Sequence, residues 1–297
     1  MTSVETDMPA EARALEAAAR ITHTKVTGDL TLCWREWGLG SEAPGPATGI
    51  PLVLIHGAQG NWMHWLRNIP ALAARRRLLV PDLPGLGDSG TPADLDSAAE
   101  HARALIEGLR QIVPAGAVDV LAFSLGSTLA CHMSVLEPEL ARRIVLIGSG
   151  GLGTPHEPPS VRQIRDAPAD QFDAINRHNL GVLMIHDPAR VDQTAIDINA
   201  YGGRRARARL QHHVLPDKLL PTLRKVPVPI DVIWAEHDAL HPGPEVNFAV
   251  IRAVQPQARL RVVEDAGHWC MYEQPERFNQ AALDLLNLPL HAGPVGQ

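Results

Sequence analysis

Short unbroken apolar runs, each followed by a stretch of helical character, constrain this chain more than any other feature. The runs are PLVLIH at 51–56, VDVLAF at 118–123, RIVLI at 143–147 and IDVIW at 230–234, with shorter ones at 77–80 and 259–263. A strand that is apolar on both faces must be covered on both faces, which is the signature of a parallel sheet sandwiched by helices. Two further strands are expected at 21–26 and 30–37, and helices at 9–20, 62–74, 97–113, 125–136, 244–254 and 275–286. Ser97 and Glu100 have the spacing of a capping box for one of them. The order of elements predicts an α/β fold with a mostly parallel, doubly wound sheet.

One region breaks the alternation. Residues 152–226 contain helical patterns, at 179–185 and 193–199, but no convincing strand. A segment this long is not a structureless loop. It reads as a helical cap inserted between residues 21–151 and 227–297, which form the core, with 1–20 as an N-terminal helical extension. GLGSEAPGPATG at 38–49 reads as a loop from its glycines and prolines.

Composition narrows the function. The net charge is −6 and the pI about 6.1, which argues against nucleic acid and anionic membranes as partners. Arginines at 75–77 and at 204, 205, 207 and 209 read as solvated faces. Three cysteines, Cys33, Cys131 and Cys270, lie far apart, so neither a disulfide framework nor a zinc site is expected. The acidic start of the chain lacks the pattern of a signal peptide, and no apolar run is long enough to span a bilayer. The expectation is a cytoplasmic protein acting on a small molecule without a cofactor or metal; self-association is left open.

The strongest chemical signal is VDVLAFSLGS at 118–127. An apolar strand runs into Ser124, and a helix starts at once. Such a turn lifts the hydroxyl above the sheet edge and needs small neighbours, here Ala122 and Gly126. A serine hydroxyl is a weak nucleophile until a base takes its proton. His268, in AGHW just after the last strand, is placed to do so. Asp238, just past the strand IDVIW, is placed to hold the imidazole and stabilise its charged form. Glu236 is expected to point elsewhere, and Asp265 is too near His268 in sequence to reach its far nitrogen. The main-chain N–H groups of Ala58 and Leu125 are expected to hold the oxyanion of a tetrahedral intermediate.

HGAQG at 56–60, PDLPGLGDSG at 81–90, AFSLGS at 122–127, EHD at 236–238 and AGHW at 266–269 stand in an order that resembles the serine-nucleophile branch of the α/β-hydrolase superfamily. The resemblance covers about residues 30–287 and implies a Ser–Asp–His triad in that chain order. Ala122 departs from the family's G-x-S-x-G. In some relatives the acid follows the earlier strand, where this chain has GSGGLG and no carboxylate. Asp82 and Asp88 read as structural. Dehalogenases and epoxide hydrolases of this fold carry aspartate at the place of Ser124, so those activities are not expected.

Among family members, AGHWCMYEQPERFN and NLGVLMIHDPARVD resemble hydrolases that split carbon–carbon bonds in meta-cleavage products of aromatic rings. Those enzymes usually carry asparagine before the serine, where this chain has Phe123. They also carry a cap arginine where this chain has Val182, with Arg177 nearby. An unpaired buried carboxylate is costly, so the reading favoured is an esterase for small to medium, partly apolar substrates. Phe123, Trp62, Trp65, Leu125, Met184 and Trp269 are the expected pocket lining. Carbon–carbon hydrolysis, and ligand binding with little turnover, are the alternatives.

Overall fold

The computed structural model describes residues 8–38, 49–92, 96–155, 159–164, 167–208, 212 and 218–291. The ends of the chain and most of the expected 38–49 loop lie outside these. Strands β1 (Arg20–Val26), β2 (Leu30–Trp37), β3 (Leu52–Ile55), β4 (Leu78–Pro81), β5 (Val118–Phe123), β6 (Ala141–Ile147), β7 (Ile230–Ala235) and β8 (Leu260–Val263) form one sheet. Their order is β1-β2-β4-β3-β5-β6-β7-β8. β2 runs antiparallel to both its neighbours, and every pairing from β4 to β8 is parallel.

Alternation within the strands divides the core in two. Val53, Ile55, Leu79, Val120, Ala122, Ile144, Leu146, Val232 and Trp234 face one way. They pack on α3 (Ala98–Ile112), α4 (Leu125–Leu136), α7 (Leu219–Leu223) and α8 (Pro244–Val254). Leu52, Leu54, Leu78, Val80, Leu121, Phe123, Val145, Ile147 and Ile233 face the other way. They meet α1 (Ala10–Ala17), α2 (Ile69–Ala73), α9 (Cys270–Glu273) and α10 (Pro275–Asn287). Burial on both faces explains why β3, β5 and β7 are buried along their whole length.

The segment between β6 and β7 holds α5 (Phe172–Leu183), α6 (Gln193–Arg205) and α7. α5, the chain just after it and α6 extend the second core through Leu180, Ile185, Ile196 and Ile198. α7 instead places Leu219 and Leu223 in the first core.

The expected helix over 62–74 divides into a 3₁₀ turn at Trp62–Trp65 and α2. Asn61 caps the first and Pro70 opens the second. Of the arginines at 75–77 only Arg75 is exposed. Arg76 is buried and pairs with Asp119 at 2.9 Å, while Arg77 pairs with Glu36 at 2.6 Å. Arg207 likewise donates to the carbonyls of Gly87 and Ser89, clamping the loop after β4. Among the described residues, no helix is long and apolar enough to cross a membrane.

Candidate active site

The loops after β3, β5, β7 and β8 leave the same edge of the sheet, the carboxyl ends of parallel strands where such folds bind their ligands. Ser124 stands between β5 and α4 with φ 52° and ψ −118°. A side chain rarely adopts this conformation, and it costs on the order of 1–3 kcal/mol. The surroundings hold it there. Ser124 N–H donates to the Ile147 carbonyl at 2.8 Å, and Ser127 Oγ donates to the Ala122 carbonyl at 2.8 Å. Gly126 is required for another reason: a Cβ there would lie 2.7 Å from the Ile55 carbonyl oxygen.

His268 and Asp238 are both buried, and His268 Nδ1 lies 2.8 Å from Asp238 Oδ2. An Nδ1–H donated to the carboxylate leaves the Nε2 lone pair free to accept a proton. The other carboxylate oxygen accepts N–H groups from Leu240 at 3.0 Å and His241 at 2.9 Å. Burial by itself would raise the pKa of Asp238. The interactions with His268, together with those of His241, outweigh it and carry the value below the ordinary one. Gly148, at the end of β6, makes room for this pair: a methyl there would stand 3.1 Å from the His268 ring and 3.2 Å from Asp238. The residue before it, Ile147, is the one that holds the Ser124 N–H. Ser124, His268 and Asp238 are therefore gathered around the end of β6. Glu236 and Asp265 stay outside, exposed, with the Asp265 N–H donating to Glu236 at 3.0 Å.

Ala58 follows β3, and the loop carrying it lies against the serine. A Cβ on Gly57 would be 3.2 Å from that of Ser124. Leu125 opens α4, where the first N–H groups have no acceptor within the helix. His56 fixes this loop, a role the sequence did not suggest. Its Nε2 accepts the Leu83 N–H at 3.0 Å, so Nδ1 donates to the Gly57 carbonyl at 2.8 Å. Burial lowers its pKa, which keeps it neutral for both bonds. His64, also buried and held neutral by burial, fills the space beneath Gly57 and Gly60.

The expected lining is largely corrected. Trp62, Trp65 and Trp269 are fully buried in the second core. Trp62 packs 5.5 Å from Trp37, Trp65 lies 6.1 Å from Phe278, and Trp269 stacks on Tyr272 at 4.2 Å. Phe123 lies beneath the site, 4.8 Å from the His268 ring. Leu125 is buried on the opposite side of the sheet. Met184 borders a cavity of about 380 Å³, with Leu180 and Leu183 of α5, Asn199 and Arg204 of α6, and Gln59 of the loop after β3. A metal could draw on Cys33, Asp82 and Asp88 or on Glu236, His237 and Asp265. In the first group Arg35 already pairs with both carboxylates.

The sheet order and this edge define an α/β hydrolase. The chain belongs to the alpha/beta hydrolase family, whose model matches residues 52–281. It is 30% identical over 296 residues to the dihydrolipoyllysine-residue acetyltransferase component of the acetoin cleaving system of Pseudomonas putida, covering 95% of this chain and 74% of that one. It is 26% identical over 276 residues to 2-hydroxymuconate semialdehyde hydrolase of Pseudomonas sp. strain CF600, covering 84% and 91%. Among solved structures it is similar to a serine hydrolase involved in carbazole degradation, with a TM-score of 0.70, 23% identity and coverage of 92% and 100%. A thermophilic esterase from Thermogutta terrifontis gives a TM-score of 0.68, 21% identity and coverage of 90% and 98%. At such identities the structural likenesses speak for the fold.

Proposed function

We propose that this hydrolase cleaves a carboxylic ester of a small to medium, partly apolar substrate through an acyl-enzyme on Ser124. The observation that carries the reading is the buried 2.8 Å contact between His268 Nδ1 and Asp238 Oδ2 beside the strained turn at Ser124. In this mechanism His268 Nε2 takes the hydroxyl proton as Ser124 Oγ attacks the carbonyl carbon. The N–H groups of Ala58 and Leu125 hold the oxyanion. His268 returns the proton to the leaving alcohol, and then activates the water that releases the acid. We read α5 and α6 as the cap over this site.

Two features favour an ester over a dienoate. The residue before the serine, Phe123, is apolar and buried. Arg177, the cation near the position where carbon–carbon hydrolases bind their substrate's acid, donates to the Val191 carbonyl. The second reading, carbon–carbon hydrolysis, is favoured by the names of relatives such as 2-hydroxymuconate semialdehyde hydrolase and by Arg204 on the cavity wall. p-Nitrophenyl esters of increasing acyl length and a meta-cleavage dienoate are to be compared on wild type and Ser124→Ala. Ester turnover and fluorophosphonate labelling, both lost in the variant, are expected. Labelling that persists in the variant would sink the assignment of Ser124. Turnover of the dienoate alone would transfer the conclusion to the second reading, and turnover of neither would favour ligand binding.

A further inference from the structure

Glu273 is fully buried, and the chemistry above makes no use of it. It ends α9, and its carboxylate accepts three main-chain N–H groups. Oε2 takes those of Gly267 at 2.7 Å and His186 at 2.9 Å, and Oε1 takes that of Asp187 at 2.8 Å. Gly267 immediately precedes His268. His186 and Asp187 belong to the chain that leaves α5, directly after Leu183 and Met184 of the cavity wall. One side chain thus ties the loop carrying the base to the loop carrying the wall.

Neighbouring contacts tighten the same junction. Trp269 N–H donates to the Met184 carbonyl at 2.7 Å, and Arg190 donates to the Glu273 carbonyl at 2.8 Å. At Gly267 a Cβ would stand only 2.6 Å from the His186 nitrogen, so main chain meets main chain there. Separating the two loops would strip the N–H groups of the buried Gly267 and Trp269, and with them those of His186 and Asp187, of their acceptors together, and the loss at a buried group is costly.

We propose that Glu273 is a positioning residue, which locks the His268 loop to the chain leaving α5 so that base and cavity wall keep one geometry. The proposal rests on the reading of His268 as base. Displacement of a catalytic group by a fraction of an ångström to one ångström lowers turnover sharply without removing any reacting atom.

Glu273→Gln keeps the shape of the side chain but turns an amide NH₂ toward at least one N–H. Its kcat on a p-nitrophenyl ester is expected to fall by roughly tenfold to a hundredfold, with a much smaller change in KM. The rate of Ser124 labelling should fall in parallel. Asp187→Pro provides a second route: φ is −87° there, within about 10° of the range that the ring prefers, and the N–H to Oε1 is lost. Asp187→Ala is its reference, lacking the side chain but keeping the N–H. A lower kcat for the proline variant than for the alanine variant supports the proposal, and decides it should Glu273→Gln fail to fold. Folded variants that turn over at reference rates, or that lose only melting temperature, overturn it while labelled wild type leaves the hydrolase reading intact. Wild-type protein that is not labelled at Ser124 overturns that reading and the proposal with it.

Discussion

At Asp238 a single carboxylate is divided between two tasks. Oδ2 faces His268, and Oδ1 holds the turn through the N–H groups of Leu240 and His241. Asparagine can keep the second task with its carbonyl oxygen but presents the wrong partner, or no charge, to the imidazole. Asp238→Asn is therefore expected to fold and to lose about a thousandfold to ten-thousandfold in kcat, checked by steady-state kinetics beside circular dichroism. The buried histidines give a pH dependence. His56 and His64 have their pKa lowered by burial, so the unfolded chain binds more protons than the native one below the ordinary value of 6.5. Their contribution is intact above that value and is lost as pH falls through it, by up to about 1.4 kcal/mol per pH unit for each. Asp238, also lowered, acts only near and below its ordinary 3.8. The urea midpoint should consequently drop between pH 7 and 5; a flat profile would contradict the neutral state assigned to both rings.

Helices whose ends are marked in the sequence were read to the residue. α4 and α8 have the bounds expected, the first starting at the serine turn and the second opened by Pro244. α3 is capped by Ser97, whose hydroxyl accepts the Glu100 N–H while the Glu100 carboxylate accepts the Ser97 N–H. Ser97→Ala should cost about 1 kcal/mol and leave kcat unchanged, because the hydrogen bonds of this cap stay within residues 96–100; thermal melting and the ester assay test both parts. Two other elements run beyond the bounds expected. The helical pattern read at 193–199 belongs to α6, which continues through Gly202 and Gly203 to Arg205. Gly202 is not a stop signal here: a Cβ would lie 2.6 Å from the Gln59 carbonyl oxygen, so it allows a close approach of helix and loop. β6 starts at Ala141, two residues early, where Arg142 reaches back to Asp119 at 2.8 Å.

Across the whole molecule, buried ion pairs join pieces that are distant in sequence. Arg35 of β2 pairs with Asp82 at 2.9 Å and with Glu16 of α1 at 2.6 Å, and also with Asp88. Asp82 in turn accepts the N–H groups of Trp62 and Asp88. Arg35→Met would leave Asp82 buried without its cation, and a loss of about 3–5 kcal/mol is expected, measurable as a shift of the urea midpoint at constant pH. Such a network could not be foreseen from the arginines or the aspartates singly, and the same holds for the arginines at 75–77 and for Glu273. The sequence by itself determined the sheet with its doubly buried strands, and placed Ser124, Asp238 and His268 at strand ends, because hydrophobic period and turn chemistry are local properties of the chain. Only the tertiary structure decided which tryptophans are core, which charges are buried in pairs, and which carboxylate holds the loop of His268. These depend on what lies across the space between segments far apart in sequence, and burial turns an ordinary side chain into a costly or a fixed one only when that neighbour is known.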